Sequence, residues 1–340
     1  MLTRRPFDAV LIVSFGGPQG PGDIRPFLAN VVRGRRISPE RIEEVAAHYE
    51  LFGGVSPLTA ITMRQADALR GRLGAAGLNL PVYVGMRNWH PLLPDTVAEM
   101  SRDGVRRAVA FIGAAHRSYS SCTQYRQNVA DARAALAARG LNDVSVTYVD
   151  DWHEHPGFID TNASHTLAAL ESLPLDLRDS ARIVFTAHSI PSFMPGAERY
   201  QLQLHQSAAL VAERLNRRDW ALVYQSRSGR PEDPWLGPDV CDYLRDERTK
   251  GLRAVVICPI GFICDHVEVL YDLDHEAASV CRELGLPMAR AETVNDDPAF
   301  VGLMEEMILR TWRRYEHGIP LPLAVVPGTP PSAPSGARTR

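Results

Sequence analysis

The fold is decided by a ten-residue stretch that reads Arg182-Ile183-Val184-Phe185-Thr186-Ala187-His188-Ser189-Ile190-Pro191. Its apolar run, Ile183 to Phe185, is typical of a buried strand in a parallel sheet, and Pro191 ends the strand. His188 therefore lies at the carboxyl end, the edge where open α/β sheets bind their ligands. An imidazole there is placed to contact a ligand, although a hydrogen-bonded loop histidine is the simpler alternative for one residue alone.

A second pattern follows Cys258, where a predicted strand runs through a glycine-containing loop into a helix. On a wheel with a 3.6-residue period and Glu268 as its zero, polar residues share one face and apolar residues lie opposite. The polar set is Asp265, Asp272, His275 and Glu276, and the apolar set is Leu270, Leu273, Ala277, Val280 and Leu284. Such a charged row is usually a solvated helix face. This one begins where a strand ends, which again favours a ligand-binding edge.

Composition limits the function classes. The 340 residues are enough for two domains, and 45% hydrophobic with 23% charged residues is ordinary for a globular protein. A formal net charge of -3 gives no support for nucleic-acid binding. The apolar runs are shorter than the roughly 18 residues of a membrane helix, and no leader segment fits before the first strand, so we expect a cytoplasmic protein.

The cysteines do not form a recognisable framework. Cys122, Cys241, Cys258, Cys264 and Cys281 are scattered and odd in number, so we expect buried thiols instead of disulfides. The gap between Cys258 and Cys264 fits no standard zinc pattern.

Predicted strands and helices alternate along the whole chain. Strands are predicted at 8–15, 82–86, 107–112 and 144–149, then at 183–186, 221–225, 253–257 and 288–292. This order predicts an α/β fold with two Rossmann-like domains, each with a four-stranded parallel sheet flanked by helices, and a cleft between them. The expected domains are 8–150 and 151–317, with the last helix able to pack back on the first domain. Residues 318–340 are expected to be a disordered tail.

Four segments follow one another along the chain: 49–58, the strand end Thr186-Ala187-His188-Ser189-Ile190-Pro191, the pair 225–227 with 233–240, and the run from Pro259 to Asp274. Taken together and in this order, they resemble the ferrochelatases. The resemblance covers Asp8 to Arg314. It implies a chelatase-like fold with a porphyrin cleft, and a lyase that inserts ferrous iron into a porphyrin in haem synthesis. The start Ser14-Phe15-Gly16-Gly17-Pro18, without a leader or a C-terminal anchor, resembles the bacterial branch that converts coproporphyrin III to coprohaem.

The resemblance also implies site residues. It assigns catalysis to His188 and Glu268, which are also metal contacts, and an outer metal site to Asp272 and Glu276. Porphyrin contacts would fall on Phe15, Arg33, Tyr49, Ser56 and Tyr125. Some relatives carry a tyrosine where this chain has Phe15, so an axial phenolate is absent at that position.

The chemistry suits these residue types. The enzyme must bend a stiff ring, remove two pyrrole protons and strip water from Fe²⁺. An imidazole can accept a proton or bind the metal, and a carboxylate row offers ligands and proton exits about one helical turn apart. The sequence leaves open which residue takes protons and which takes iron. We assign His188 as the proton acceptor and Glu268 as the metal or proton relay.

Cofactors and partners follow from the same resemblance. Some actinobacterial members hold a [2Fe-2S] cluster on four cysteines, of which Cys122 matches the first. Only Cys258, Cys264 and Cys281 could complete one here, and we expect no cluster and no cofactor beyond the substrate Fe²⁺. The expected partners are coproporphyrin III, ferrous iron and, transiently, neighbouring enzymes of the haem pathway, with no nucleic acid and no transmembrane segment. The alternatives are a protoporphyrin IX ferrochelatase, a cobalt or nickel chelatase for a corrin-type ring, and a tetrapyrrole carrier without activity.

Overall fold

The computed structural model describes residues 5–34, 37–228 and 233–316, with residues 120 and 121 described by their backbone alone. Within these ranges, eight strands form two sheets, and all the strand pairings are parallel. The first sheet contains β1 (Ala9–Ser14), β2 (Val82–Met86), β3 (Arg107–Ile112) and β4 (Ser145–Tyr148), in the order β2-β1-β3-β4. The second contains β5 (Arg182–His188), β6 (Trp220–Gln225), β7 (Val255–Cys258) and β8 (Met288–Arg290), in the order β6-β5-β7-β8. The predicted α/β fold with two four-stranded parallel sheets is confirmed, whereas the predicted tail, 318–340, lies outside the described residues.

Helices connect the strands. They are α1 (Ile24–Val31), α2 (Pro39–Leu51), α3 (Pro57–Ala75), α4 (Leu93–Arg102), α5 (Gln124–Ala134), α6 (Pro156–Ser172), α7 (Leu175–Arg178), α8 (Ala197–Arg214), α9 (Val240–Thr249), α10 (Val267–Val269), α11 (Ala278–Glu283) and α12 (Pro298–Glu316). Short 3-10 turns lie at Pro21–Asp23 and Ala137–Arg139, and π-helical segments lie at Tyr119–Thr123 and Leu270–Ala277. Among the described residues, none of these helices has the length and apolar character that spanning a membrane requires.

Local sequence explains where these elements begin. All six residues of β1 are buried, as expected for a strand of a parallel sheet that is covered on both faces. α2 begins after Ser38, whose hydroxyl accepts a hydrogen bond of 3.3 Å from the Arg41 N–H, and Pro39 occupies its first turn. α9 begins after Asp239, whose carboxylate accepts from the Cys241 N–H at 2.8 Å.

One apolar core extends through both halves of the chain. It includes Val10 and Phe111 from the first sheet, Phe185 from the second and Phe300 from α12. α12 contacts α3 in the first half and α6 in the second. An ion pair of 2.7 Å between Arg72 on α3 and Glu305 on α12 lies at the first of these contacts. The division into domains at 150/151 stays a prediction.

The helix after β7 differs from the regular α-helix that a wheel with a 3.6-residue period assumes. It begins at Val267, and its middle, Leu270–Ala277, is π-helical. Hydrogen bonds of the i→i+5 type widen the turn beyond 3.6 residues, so the helical wheel does not describe this part of the chain. π-helical turns often lie at functional sites, and this one carries most of the predicted carboxylate row.

Candidate active site

His188 is the last residue of β5 and lies at the carboxyl edge of the second sheet, where it pairs with Gln225 of β6. Its Nδ1 is hydrogen-bonded to the carbonyl oxygen of Ser189. A carbonyl can only accept, so Nδ1 carries the hydrogen, and in the neutral ring Nε2 holds a lone pair. Nε2 lies 3.9 Å from Glu268 Oε2, and the His188 side chain keeps 35% of its surface exposed. The free nitrogen can therefore accept a proton or bind a metal ion.

Glu268 is held as an anion by two imidazoles. It is the second residue of α10 and keeps 39% of its side-chain surface exposed. His266 Nε2 lies 3.6 Å from Glu268 Oε2, on the same carboxylate oxygen that faces His188. Burial by itself would raise the pKa of Glu268, but the adjacent His266 ring and the charges of His188, His266 and His48 lower it to about 2. Glu268 is thus ionised at neutral pH and open to a ligand.

Asp272 lies four residues further along, and its pKa is raised whereas that of Glu268 is lowered. Its Oδ2 accepts hydrogen bonds from Gln225 Nε2, at 3.1 Å, and from the Ser226 hydroxyl. Burial raises the pKa of Asp272 to about 7, and the negative charges of Glu268 and Glu276 act in the same direction. Ser226 has a φ of 61°, in the left-handed region that is uncommon for residues other than glycine. Asp272 is thus a carboxyl group able to exchange a proton near neutrality.

Glu276 is the exposed end of the row. Burial and the charge of Asp239 raise its pKa. Across the described ranges, no group of three or more histidine, cysteine, aspartate and glutamate side chains converges as a metal cage. Glu268, Asp272 and Glu276 therefore form a series of single positions four residues apart, and not one coordination shell.

Two members of the predicted polar face have contacts of their own. Asp265 precedes the helix, and its carboxylate forms an ion pair of 3.1 Å with Arg290 and accepts from Asn295 Nδ2 at 3.2 Å. His275 is exposed, and its ring stacks on Tyr271 with centroids 5.3 Å apart. Asp265 is outside the row because the helix begins at Val267, whereas His275 directly precedes Glu276.

Sequence reasoning missed three residues that shape this site. His266 lies in extended backbone, with a φ of -153°, directly before the helix, so a helical wheel could not place it beside Glu268. Gln225 and Ser226 lie at the end of β6, and only the pairing of β6 with β5 brings them to Asp272. The sequence offered one signal for Gln225 and Ser226, because the segment 225–227 is among those on which the family resemblance is based. No role was assigned to its residues.

The predicted porphyrin contacts divide into exposed and buried residues. Arg33 follows α1 and is exposed, with its Nη2 donating to Asn30 Oδ1 at 2.5 Å. Tyr49, Ser56 and Tyr125 are only 5%, 3% and 6% exposed. The charge of Glu268 contributes to the raised pKa of both tyrosines, after the larger effect of burial, so both phenols lie within electrostatic reach of that carboxylate.

Phe15 and Ser56 are held by packing at the end of β1. The Phe15 ring is half-buried and meets Phe27 edge to face, with centroids 6.3 Å apart. A Cβ at Gly17 would lie 2.5 Å from the Ser56 Cβ, so only glycine allows this turn to approach the start of α3. Gly17 therefore serves close packing.

The cysteines lie in separate surroundings. Cys258 belongs to the main core, Cys264 packs with Leu58 and Ile61, and Cys281 belongs to a third apolar cluster. Burial raises the pKa of Cys258 and of Cys264 to about 12, so both thiols are neutral at physiological pH. Neutral thiols are poor metal ligands because the thiolate is the ligand form.

Replacing Asp272 by asparagine is expected to change the pH dependence of stability. The folded-state pKa of about 7 lies above the value of about 3.9 in an unfolded chain. The contribution of Asp272 to the free energy of unfolding is therefore complete below the pKa of the unfolded chain and is lost as pH rises through 7. Asparagine does not titrate, so this loss of stability is absent in Asp272→Asn. In metal-free buffer, urea unfolding should show that the free energy of unfolding of the variant increases relative to that of wild type between pH 5 and pH 8. A constant or decreasing difference between the two proteins would contradict the assigned pKa.

The fold is that of the chelatases. SirB from Bacillus subtilis, solved with Fe³⁺, superposes with a TM-score of 0.55 at 10% identity, over 92% of this chain and 98% of that one. CbiX, described as the terminal enzyme of sirohaem biosynthesis in denitrifying bacteria, superposes with a TM-score of 0.50 at 12% identity, over 89% of this chain and 98% of that one. At these identities the likeness concerns the fold alone.

The sequence comparison defines the family. The family model described as Ferrochelatase matches residues 7–311, so the chain belongs to the ferrochelatase family. The coproporphyrin III ferrochelatase of Streptomyces coelicolor is 46% identical over 324 residues, 91% of this chain and 86% of that protein. The protein of the same name from Mycolicibacterium smegmatis is 45% identical over 317 residues, 92% and 91% of the two chains. The family resemblance drawn from the motifs is confirmed, and with it the assignment to the lyases that act on iron and a tetrapyrrole.

Proposed function

We propose that this protein inserts ferrous iron into coproporphyrin III to give coprohaem. The observation that carries the proposal is the pair of His188 Nε2 and Glu268 Oε2, 3.9 Å apart and both accessible at the carboxyl edge of the second sheet. The relatives from Streptomyces coelicolor and Mycolicibacterium smegmatis, both named coproporphyrin III ferrochelatases, support the choice of porphyrin.

His188 is the proposed proton acceptor. Insertion exchanges two pyrrole protons for one Fe²⁺, so a base must face the ring nitrogens. The Nδ1–H of His188 is engaged by Ser189, which leaves Nε2 as the acceptor. Glu268, with a pKa of about 2, is too weak a base to retain a proton at neutral pH. Its negative charge instead lies beside the positive charge that develops on His188 when the imidazole takes a proton.

Glu268 and the two carboxyl groups after it are the proposed iron and proton route. An ionised carboxylate is a suitable oxygen ligand for Fe²⁺ as it loses water. Asp272, with a pKa of about 7, can hold or release a proton near neutrality, and Glu276 is exposed to incoming ions. Protons leaving the pyrrole nitrogens and iron moving inward would thus use neighbouring positions about one turn apart.

Porphyrin choice is proposed to depend on the rim of the cleft. Coproporphyrin III carries four propionates, whereas protoporphyrin IX carries two. Arg33 is the exposed cation among the predicted porphyrin contacts. A guanidinium–carboxylate contact is a charge-assisted hydrogen bond, of about 1.5–3 kcal/mol where partly shielded from water.

Arg33→Ala is therefore expected to lower kcat/KM for coproporphyrin III about tenfold or more, with a smaller loss for protoporphyrin IX. Arg25→Ala is the matched control, because Arg25 is an exposed arginine of α1 that is paired with Glu43 at 2.6 Å. The measurement is anaerobic steady-state metallation of both porphyrins. Equal losses on the two porphyrins, or a wild-type enzyme that prefers protoporphyrin IX, would remove the case for coproporphyrin.

The proposed reaction needs no [2Fe-2S] cluster, and the support is the separation of Cys258, Cys264 and Cys281 into three apolar clusters. The proposed compartment is the cytoplasm, in keeping with five cysteines that all carry free thiols. Transient contact with neighbouring haem-pathway enzymes is proposed because the product must pass to the next reaction.

One assay tests the function as a whole. Purified protein is mixed anaerobically with ferrous iron and coproporphyrin III, and the coprohaem spectrum is followed. Turnover above the uncatalysed rate supports the proposal. Porphyrin binding without turnover would instead indicate a carrier, and turnover only with Co²⁺ or Ni²⁺ and a corrin-type ring would indicate another chelatase.

A further inference from the structure

Two histidines and a tyrosine form a stacked group, the aromatic ladder, between the halves of the chain. His48, on α2, lies face to face with Tyr271, with ring centroids 3.5 Å apart and ring planes 10° apart. His275 also stacks on Tyr271, with centroids 5.3 Å apart and planes 28° apart. The ladder joins a helix of the first half to the π-helical segment of the second half.

The ladder is built on the residues next to the outer carboxylates. Tyr271 directly precedes Asp272, and His275 directly precedes Glu276. Ring and carboxylate share a short piece of backbone, so holding the ring also restricts where the neighbouring carboxylate lies. The charges of Asp272 and Glu276 both contribute to the raised pKa of the Tyr271 phenol, after burial, so these groups are close in space as well as in sequence.

α2 is a firm support for the ladder. Tyr49, the residue after His48, is 5% exposed and packs edge to face on Phe27 with centroids 5.5 Å apart. Ala46, two residues before His48, is fully buried. The His48 ring is half-buried, and His275 is exposed, so the ladder lies at the surface and outside the apolar core.

The π-helical segment needs such a support more than an α-helix would. π-Helices are rare, and most are single turns inside α-helices. The segment Leu270–Ala277 spans eight residues. A contact from a packed helix of the other half is therefore placed to stabilise a backbone conformation that is rarely maintained over this length.

We propose that His48 is a positioning residue for the iron route. Through its stack on Tyr271 it holds the π-helical segment so that Asp272 and Glu276 are oriented toward ferrous iron on its way to Glu268. The inference rests on the proposed function, because ferrous iron is the ion that those carboxylates would take. His48 acts through Tyr271 and not on the porphyrin nitrogens.

The kinetic test is His48→Ala in the full chain. The apparent KM for ferrous iron should rise about three- to tenfold, the range expected for loss of one aromatic pair, while kcat and the KM for coproporphyrin III stay within about twofold. His48→Phe keeps a flat ring and should restore the wild-type KM for iron. His205→Ala is the matched control, because it removes a histidine that contacts Trp220, at the start of β6, with centroids 5.0 Å apart.

A second readout is independent of catalysis. Amide hydrogen exchange should be faster in α2 and in Leu270–Ala277 for His48→Ala, and unchanged there for His48→Phe. A rise in the KM for iron with this exchange pattern supports the inference. It is overturned if the KM for iron stays within about twofold of wild type, if His48→Phe behaves like His48→Ala, or if exchange rises throughout the chain. Absence of turnover in wild type would defeat the proposed function, whereas the exchange measurement would still decide whether the stack holds the segment.

Discussion

His188→Ala is expected to abolish metallation while coproporphyrin binding survives. Loss of one positioned general base typically costs about 10²–10⁴-fold in rate. The Nδ1–H of His188 is engaged by the Ser189 carbonyl, which leaves Nε2 as the free nitrogen. Because the proposed role of the imidazole is at the ring nitrogens and not at the propionates, its removal should leave porphyrin affinity close to that of wild type.

Two measurements separate binding from chemistry for His188→Ala. Steady-state formation of coprohaem reports the chemical step, and the shift of the porphyrin absorption band on titration reports binding. His165→Ala is a control, because His165 lies on α6, where its Nδ1 is 3.0 Å from the carbonyl oxygen of Thr293. Activity of His188→Ala above about a tenth of wild type would show that another group takes the pyrrole protons.

Glu268→Gln is expected to nearly silence the enzyme, with a loss of about 10²-fold or more in kcat. The substitution keeps the shape of the side chain but removes the negative charge. That charge faces His188 Nε2 at 3.9 Å and His266 Nε2 at 3.6 Å. The variant thus loses the counter-charge for the protonated imidazole and an anionic oxygen ligand for Fe²⁺ in one step.

Glu276→Gln changes another carboxylate of the row formed by Glu268, Asp272 and Glu276, and it is compared with Glu268→Gln. Glu276 is exposed at the outer end, so its loss should mainly raise the apparent KM for iron. Glu283→Gln, at the end of α11, changes an exposed carboxylate of the same helix and serves as the control. Near-wild-type turnover of Glu268→Gln would indicate that the row is an ordinary solvated helix face. The same conclusion would follow if Glu268→Gln and Glu276→Gln both left the apparent KM for iron unchanged.

Much of the fold could be predicted because the alternation of strands and helices along the chain depends on local patterns. The predicted bounds of β2 and β3, 82–86 and 107–112, agree with the structure. β5 runs two residues beyond its predicted end at Thr186 and reaches His188, because backbone pairing with β6 continues to Gln225. Periodicity identifies an apolar run, but the neighbouring strand decides where pairing stops.

The predicted helix face was less accurate. A wheel assumes one period, whereas this helix begins after His266 and changes to π-helical turns at Leu270. The wheel therefore included Asp265, which pairs with Arg290, and left out His266, which contacts Glu268. A wheel with a fixed 3.6-residue period could not place this change, because a π-helical turn is wider than 3.6 residues.

The sequence by itself determined the alternation of strands and helices, the placement of His188 at a strand end, and the family. Apolar periodicity and motif order are properties of the chain read in one dimension. Only the tertiary structure decided that Glu268 faces two imidazoles and that Asp272 is held by Gln225 and Ser226. A pKa of about 2 and a pKa of about 7 arise four residues apart on one helix, because burial and neighbouring charges act through space and come from segments distant in the chain.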